Sequence, residues 1–305
     1  MDKPRISIIM ITYKQEKLVG RTLDSLLTQK DYIYEICIND DCSPDGTWEV
    51  LQDYARRYPD IVKPVRNEHN LGIMQNTEAV WKRPSGDIIY DIAGDDVCPP
   101  GYFRSVLELI EKKSIDWRNE LFCIFCDFIV EEPDGKRTVF RNSMAGKHDS
   151  SKLKLRMLLS NRGACFSKKI LDRFEDVSVG RSTVAESTQD GQLDLFAEKV
   201  YYIPMVGCIY YAGIGYSSIM SGQDHLENRV DGYRMYAAFL EKHGHPFDRK
   251  DMRFIDFMCA YTTGESLKAL KYYLASIDLS LGIRGLGLQR ILFVISKKLR
   301  AGRQQ

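Results

Sequence analysis

Short β-like runs alternate with helical patterns through the first hundred residues, and this rhythm restricts the chain more than any other feature. Arg5–Ile11 (RISIIMI) is a compact apolar run, after which Leu18, Val19, Leu23, Leu26 and Leu27 fall on one helical face. Glu35–Asn39 (EICIN) is β-like and leads into an SPDG turn. Thr47 is placed to cap a helix that carries Trp48, Leu51 and Ala55 on one side. Ile61–Val65 reads as a weaker strand and Asp87–Ile92 (DIIYDI) as a strong one. Phe103, Val106, Leu107 and Ile110 then match the i, i+3, i+4, i+7 helical template. Strands alternating with helices require right-handed crossovers, which predicts an α/β chain with a mostly parallel sheet covered by helices.

Beyond Glu120 the rhythm changes. Leu121–Val130 reads as one long apolar strand, EEPDGKR as a hairpin-type turn and Val200–Tyr211 as an aromatic-rich β region. Two helical segments follow, Val230–Lys242 and Arg253–Tyr273, and then a basic tail from Arg284. The expected organisation is a half at 1–105, a second half at 106–222 and a helical extension at 223–305. Forty-three Lys and Arg against 42 Asp and Glu leave a net charge of +1, without the basic excess of a nucleic-acid binder. The eight cysteines are thinly spread, mostly in apolar runs, and the N-terminus lacks a signal-peptide pattern. Both point to a cytoplasmic, reducing setting. Cys123 and Cys126 sit in one strand-like run with odd spacing, so they are expected on opposite sheet faces as packing residues.

The acids are the chemically informative residues. In an open α/β sheet, ligands bind beyond the carboxyl ends of the parallel strands. Three expected strands end in candidate groups: Thr12 and Tyr13, Asp40 and Asp41, and Asp95 and Asp96. A flat aromatic, a carboxylate for a base edge and an acidic pair for a hard divalent cation together suit a nucleoside diphosphate. An aspartate at a strand end is also a common turn former, and Asp41 and Asp45 read that way. Turn formation alone does not account for acidic pairs closing two parallel strands, because like charges repel without a cation between them.

ISIIMITYKQEKLVGRTLDSLLTQ, ICINDDCSPDGT and GDIIYDIAGDD resemble successive signatures of the family-2 glycosyltransferases, over about residues 4–222. The resemblance implies a GT-A fold, a mixed and mostly parallel sheet flanked by helices, with a helical C-terminal extension here. It implies an inverting enzyme that uses Mn²⁺ or Mg²⁺ and a nucleotide-sugar donor, uridine being the family's commonest base. Carried over residue by residue, Thr12 and Tyr13 pack on the base and Asp40 hydrogen-bonds it. Asp95 faces ribose or metal, and Asp96 is the direct metal ligand. STQDGQLDLFAEKVYYIP resembles the segment holding the general base, which assigns that role to Asp190, with Asp194 as the fallback.

Three positions depart from the family pattern: Ala93, Gln189 and Ile214 stand where an acid, a glutamate and a histidine are usual. They imply a weaker metal site and keep a non-catalytic sugar-nucleotide binder as the alternative. The QxxRW signature of processive synthases is absent, which favours single-sugar transfer. A sugar-activating nucleotidyltransferase would need a Gly-rich basic loop after the first strand, and TYKQEK is not one. From Arg284 the tail holds six basic residues and no acid, with an apolar stripe from Leu286 to Leu299. It suits either an anionic membrane surface or docking on the domain. The resemblance makes a glycan or lipid-linked acceptor in surface polysaccharide synthesis the expected partner, met at the inner face of the cytoplasmic membrane.

Overall fold

A computed structural model describes residues 3–147, 159–175, 186–214, 235–244, 249–262 and 265–278; the side chains of residues 186–190, 262 and 266 lie outside that description. Eight strands form one sheet: β1 (Ile6–Thr12), β2 (Ile33–Asp40), β3 (Val62–Arg66), β4 (Ile88–Ala93), β5 (Phe122–Glu131), β6 (Arg137–Phe140), β7 (Cys165–Ser167) and β8 (Lys199–Tyr211). Their order is β3-β2-β1-β4-β7-β5-β6, with β8 paired to β5. β1 lies parallel to both β2 and β4, and β2 parallel to β3. The short β7 is antiparallel to both β4 and β5 and carries the sheet from its first half into its second.

The crossover helices are α1 (Val19–Leu27), α2 (Thr47–Arg57), α3 (Ile73–Trp81) and α4 (Tyr102–Lys113). After β7 come α5 (Lys168–Leu171), α6 (Glu186–Phe196), a helical stretch α7 over 235–242, α8 (Arg249–Thr262) and α9 (Ser266–Ser276). The sheet is buried on both faces, as parallel strands require. Ile6, Ile8 and Met10 face α1, α2 and α4, in one cluster with Leu23, Leu51, Phe103 and Val106. Ile9 points the other way and packs with Val80, Trp81, Phe166, Ile170 and Leu193. Cys126 joins the first cluster and Cys123 the second, so the odd spacing places them on opposite faces. All eight cysteines are free thiols.

Some local expectations change. Thr47 does not cap α2. Gly46 is the N-cap residue, and the Asp45 carboxylate accepts the Thr47 N–H at 3.2 Å and its hydroxyl at 2.5 Å. The Thr47 hydroxyl in turn accepts Gln15 N–H at 2.8 Å, locking α2 to the loop after β1. The single helix expected over Arg253–Tyr273 is two, α8 and α9, with Glu265 between them donating its N–H to Ala260 at 2.9 Å. Thr262-Thr263-Gly264 is a run of weak helix formers, which accounts for the break. Of the expected Val230–Lys242 helix, 235–242 is helical and 230–234 lies outside the described residues, as does the tail 284–305. Among the described residues no helix is long and apolar enough to cross a membrane.

Candidate functional site

Register brings the carboxyl ends of the first four strands to one rim: Thr12 pairs with Asp40, Asp40 with Arg66, and Ile11 with Ala93. Thr12 Oγ1 donates to Asp40 Oδ1 at 3.1 Å. Asp40 is fully buried and is already engaged. It accepts Ser43 Oγ–H at 2.5 Å and Ser43 N–H at 3.0 Å, with Arg66 Nε 3.6 Å away. Asp41 is equally committed. Its carboxylate accepts Leu71 N–H at 2.8 Å, Gly72 N–H at 2.9 Å and Asn67 Nδ2–H at 2.9 Å, which holds the loop leading into α3. In this geometry the contact expected from Asp40 to a base edge is not on offer, because both its oxygens hold the chain. Lys14 takes a positive φ of 54° beside them and donates its N–H to Ser43 Oγ at 3.1 Å. The half-buried Tyr13 ring has the Lys14 ammonium 5.2 Å from its centre.

The loop after β4 carries the acidic pair, and α1 holds it with a polar stripe one helical face wide. Thr22 Oγ1 lies 2.9 Å from Gly94 O and 2.7 Å from Asp96 O, and Arg21 Nη2 donates to Asp95 O at 2.8 Å. Ser25 Oγ accepts Cys98 N–H at 3.2 Å, and Gln29 Nε2 donates to Pro99 O at 2.9 Å. Gly94 is required for close approach, since a Cβ there would strike the Gln15 amide oxygen and the Thr12 methyl. On the other side, Val97 and Ile209 exchange backbone hydrogen bonds of 3.1 and 2.8 Å, which docks the loop on β8.

Two arginines that the sequence did not single out complete the site. Asp96, 4% exposed, has Arg162 Nη1 3.6 Å from its Oδ2 and the Cys208 thiol at 3.7 Å. The Arg162 guanidinium lies 4.0 Å over the Tyr210 ring, and that of Arg21 lies 3.7 Å over the Tyr211 ring. Consecutive strand residues face opposite ways, so Tyr210 and Tyr211 present one stacked guanidinium on each side of the acidic loop. Burial pushes the Asp96 carboxyl up to about 7; Arg162 opposes the shift and Asp95 adds to it. The Asp95 carboxyl is also raised by burial, against the pull of Arg162, Arg21 and a hydrogen bond from Gln15. Arg21 and Arg162 are far from each other and from Asp96 in sequence, and only the tyrosine pair in YYAG hinted at a platform.

The donor set fits a hard divalent cation: two carboxylates held uneasily as anions, with a buried Gln15 Oε1 that lacks a hydrogen-bond partner lying against Gly94. Ala93 and Ile214 add no ligand, and among the described residues no group of three or more His, Cys, Asp or Glu is assembled for a metal.

Asp190 lies in α6, and its side chain is outside the described set. The helix itself is pinned. Gln192 Oε1 accepts Glu175 N–H at 2.6 Å, Gln192 Nε2 donates to Glu175 O at 3.0 Å, and Leu193 enters the second core cluster. Asp194, the alternative base, is buried and accepts the Tyr236 hydroxyl at 3.0 Å, tying α6 to α7.

The family model described as Glycosyl transferase family 2 matches residues 7–120. The chain is 30% identical over 134 residues to an uncharacterized protein of Mycobacterium tuberculosis, covering 43% of this chain and 37% of that one. It is 32% identical over 114 residues to a dolichol-phosphate mannosyltransferase of Pyrococcus furiosus, covering 36% and 31%. The match thus spans well under half the length of these curated relatives. Among solved structures, S. aureus TarS 1–349 in complex with UDP-GlcNAc superposes with a TM-score of 0.57 at 18% identity, covering 92% of this chain and 76% of that one. The mannosyltransferase PcManGT of Pyrobaculum calidifontis, in complex with GDP-Man and Mn²⁺, gives 0.54 at 15% identity, covering 97% and 81%. These two likenesses are of fold.

Proposed function

Residues 7–120 belong to glycosyl transferase family 2, and from that premise we propose that the protein is a metal-dependent, inverting glycosyltransferase that moves one sugar from a nucleoside diphosphate to a glycan or lipid-linked acceptor. Its sheet and flanking helices are the GT-A architecture. The observation that carries the activity is the rim itself, where a buried acidic pair flanked by two stacked guanidiniums sits beside the Thr12–Asp40 corner. That combination of anions and cations suits a diphosphate bound with a divalent metal.

In this reading Asp95 and Asp96 hold Mn²⁺ or Mg²⁺, which when bound supplies positive charge to the departing diphosphate. Tyr13 and Thr12 line the base side. Asp40 acts at one remove, keeping Thr12 and the turn at Ser43 in place. The acceptor hydroxyl loses its proton as it attacks the face opposite the leaving group, and Asp190 takes that proton as general base. UDP-sugar is the proposed donor class, from the resemblance already described. The acceptor is met at the cytoplasmic membrane surface.

A thermal-shift panel of UDP, GDP, CDP and ADP, each with and without Mn²⁺, tests the reading. One nucleoside diphosphate with Mn²⁺ should raise Tm by several degrees, and Asp96→Ala should lose that rise. A panel with no shift for any nucleotide, or an undiminished shift in Asp96→Ala, would falsify it.

A further inference from the structure

The acidic loop is not bare in the free protein. Asp96 is almost entirely enclosed, beside a second carboxylate, and its nearest cation is Arg162. A buried carboxylate needs a counter-charge or it protonates. Yet the Arg162 Nη1–Asp96 Oδ2 separation of 3.6 Å is well outside the 2.7–2.9 Å of a charge-assisted hydrogen bond, so this pair is held by field rather than by a bonded fork. What positions the guanidinium is the Tyr210 ring 4.0 Å beneath it. The Arg162 side chain is 40% exposed, so it stands at the mouth of the site and an incoming anion can reach it. Arg21 differs in kind, because it donates to the Asp95 carbonyl and so braces the loop.

We infer that Arg162 is a resident cation that occupies the field of Asp96 until a nucleoside diphosphate arrives with its metal, and then serves the diphosphate. The inference rests on the donor reading above and adds to it an order of events. The charges show why. Asp95 and Asp96 against Arg21 and Arg162 leave the free site balanced. A divalent cation entering alone meets an uncompensated guanidinium at close range, and the repulsion weakens its binding. A divalent cation entering with a diphosphate brings the anion that the guanidinium then faces, and the site is again close to neutral. Metal and nucleotide therefore bind with positive coupling, and Arg162 is the positioning residue that creates it.

The test compares wild type, Arg162→Gln and Arg162→Lys as full-length chains. Their folding is checked by circular dichroism. Mn²⁺ alone is titrated by electron paramagnetic resonance, and UDP and GDP are titrated by calorimetry at saturating Mn²⁺. Wild type should bind Mn²⁺ alone weakly. Arg162→Gln should bind Mn²⁺ alone about 5- to 10-fold more tightly and the nucleotide at least 10-fold more weakly. Arg162→Lys should recover most of the nucleotide affinity. Opposite-signed changes are the signature, since a merely structural role would weaken both. Folded variants that bind Mn²⁺ no better than wild type overturn the inference alone. A wild type that binds neither UDP nor GDP with Mn²⁺ present overturns the donor reading and the inference with it.

Discussion

Asp96 shows at the scale of one residue how a binding site is held at the expense of stability. Its carboxyl is raised by burial from an ordinary 3.8 to about 7. A carboxyl raised on folding contributes stability below its unfolded value, and that contribution is lost as pH rises from about 4 through about 7. Above pH 7 the folded protein carries an ionised, enclosed Asp96 that the unfolded chain solvates freely. Asp96→Asn removes that cost. At pH 8 it should stabilise the free protein by roughly 1–3 kcal/mol, and the gain should fade as the pH is lowered towards 4. Denaturant melts at the two pH values check this, and a variant less stable than wild type at pH 8 would show that Asp96 is held mainly by favourable bonds. Glu35, at the opposite end of the sheet, is the contrasting case. It is just as buried, but hydrogen bonds from Ser85, Ser7 and Lys63 outweigh the burial and bring it down to about 2. Four donors make it a structural acid. Asp96 is short of donors, as a residue kept for a ligand should be.

Elements were easier to read from the sequence than the contacts between them. β1, β2 and β4 were legible because their apolar runs are buried on both faces and end in polar groups. α1 and α4 were legible because their apolar positions recur at helical spacing. β7 was not legible, being three residues long and defined by its two antiparallel neighbours rather than by any pattern of its own. α3 also went unread; its buried set includes Asn76, Thr77 and Glu78 among the apolar positions. At the site, the acids stood out because two pairs close two strands. The partners that decide what those acids do, Arg21, Arg162, Gln15 and Cys208, come from four separate segments and form no motif. Asp40 illustrates the limit: the sequence placed it at the right corner, but its burial is a tertiary fact. α6 carries a prediction at this same scale. Gln192 and Asp194 anchor it to neighbouring segments one and two turns either side of Gly191, whose backbone lies against the Tyr236 ring. A carboxylate on a helix so braced can act as a fixed base. Asp190→Asn should lower sugar transfer by about 10²- to 10⁴-fold while leaving nucleotide affinity within about twofold. Near-normal transfer, followed as nucleotide release with acceptor present, would remove Asp190 from the chemistry.

For the whole molecule, the question is whether the family-matched segment is a protein in itself. Residues 7–120 contain the parallel strands and every acid of the rim. The core they build is nevertheless shared. Phe122, Ile124, Cys126, Cys165 and Ile203 belong to the same cluster as Ile8, Met10 and Phe103. Two phenols make the dependence specific. Tyr90, fully buried, donates its hydroxyl to Gly207 O at 2.7 Å, and Tyr102, also fully buried, donates to Gly163 O at 2.5 Å. Both acceptors lie in the second half, on segments that also carry Arg162 and the stacked tyrosines. Close packing there leaves no slack, since a Cβ on Gly207 would strike the Cys126 sulfur and the Tyr102 ring. Cutting the chain after residue 120 strands both hydroxyls, each at a cost of about 1–3 kcal/mol if they stay buried, and uncovers one edge of β4. The fragment 1–120 should therefore keep far-UV helical signal, bind a hydrophobic dye, lose near-UV circular dichroism and melt without a cooperative transition. It should bind no nucleotide, because the guanidinium at the mouth is gone. A fragment with a sharp melt and a full near-UV spectrum would mean that the rim assembles without its second half. Arg162 and the tyrosine platform would then be additions to a finished site rather than parts of it.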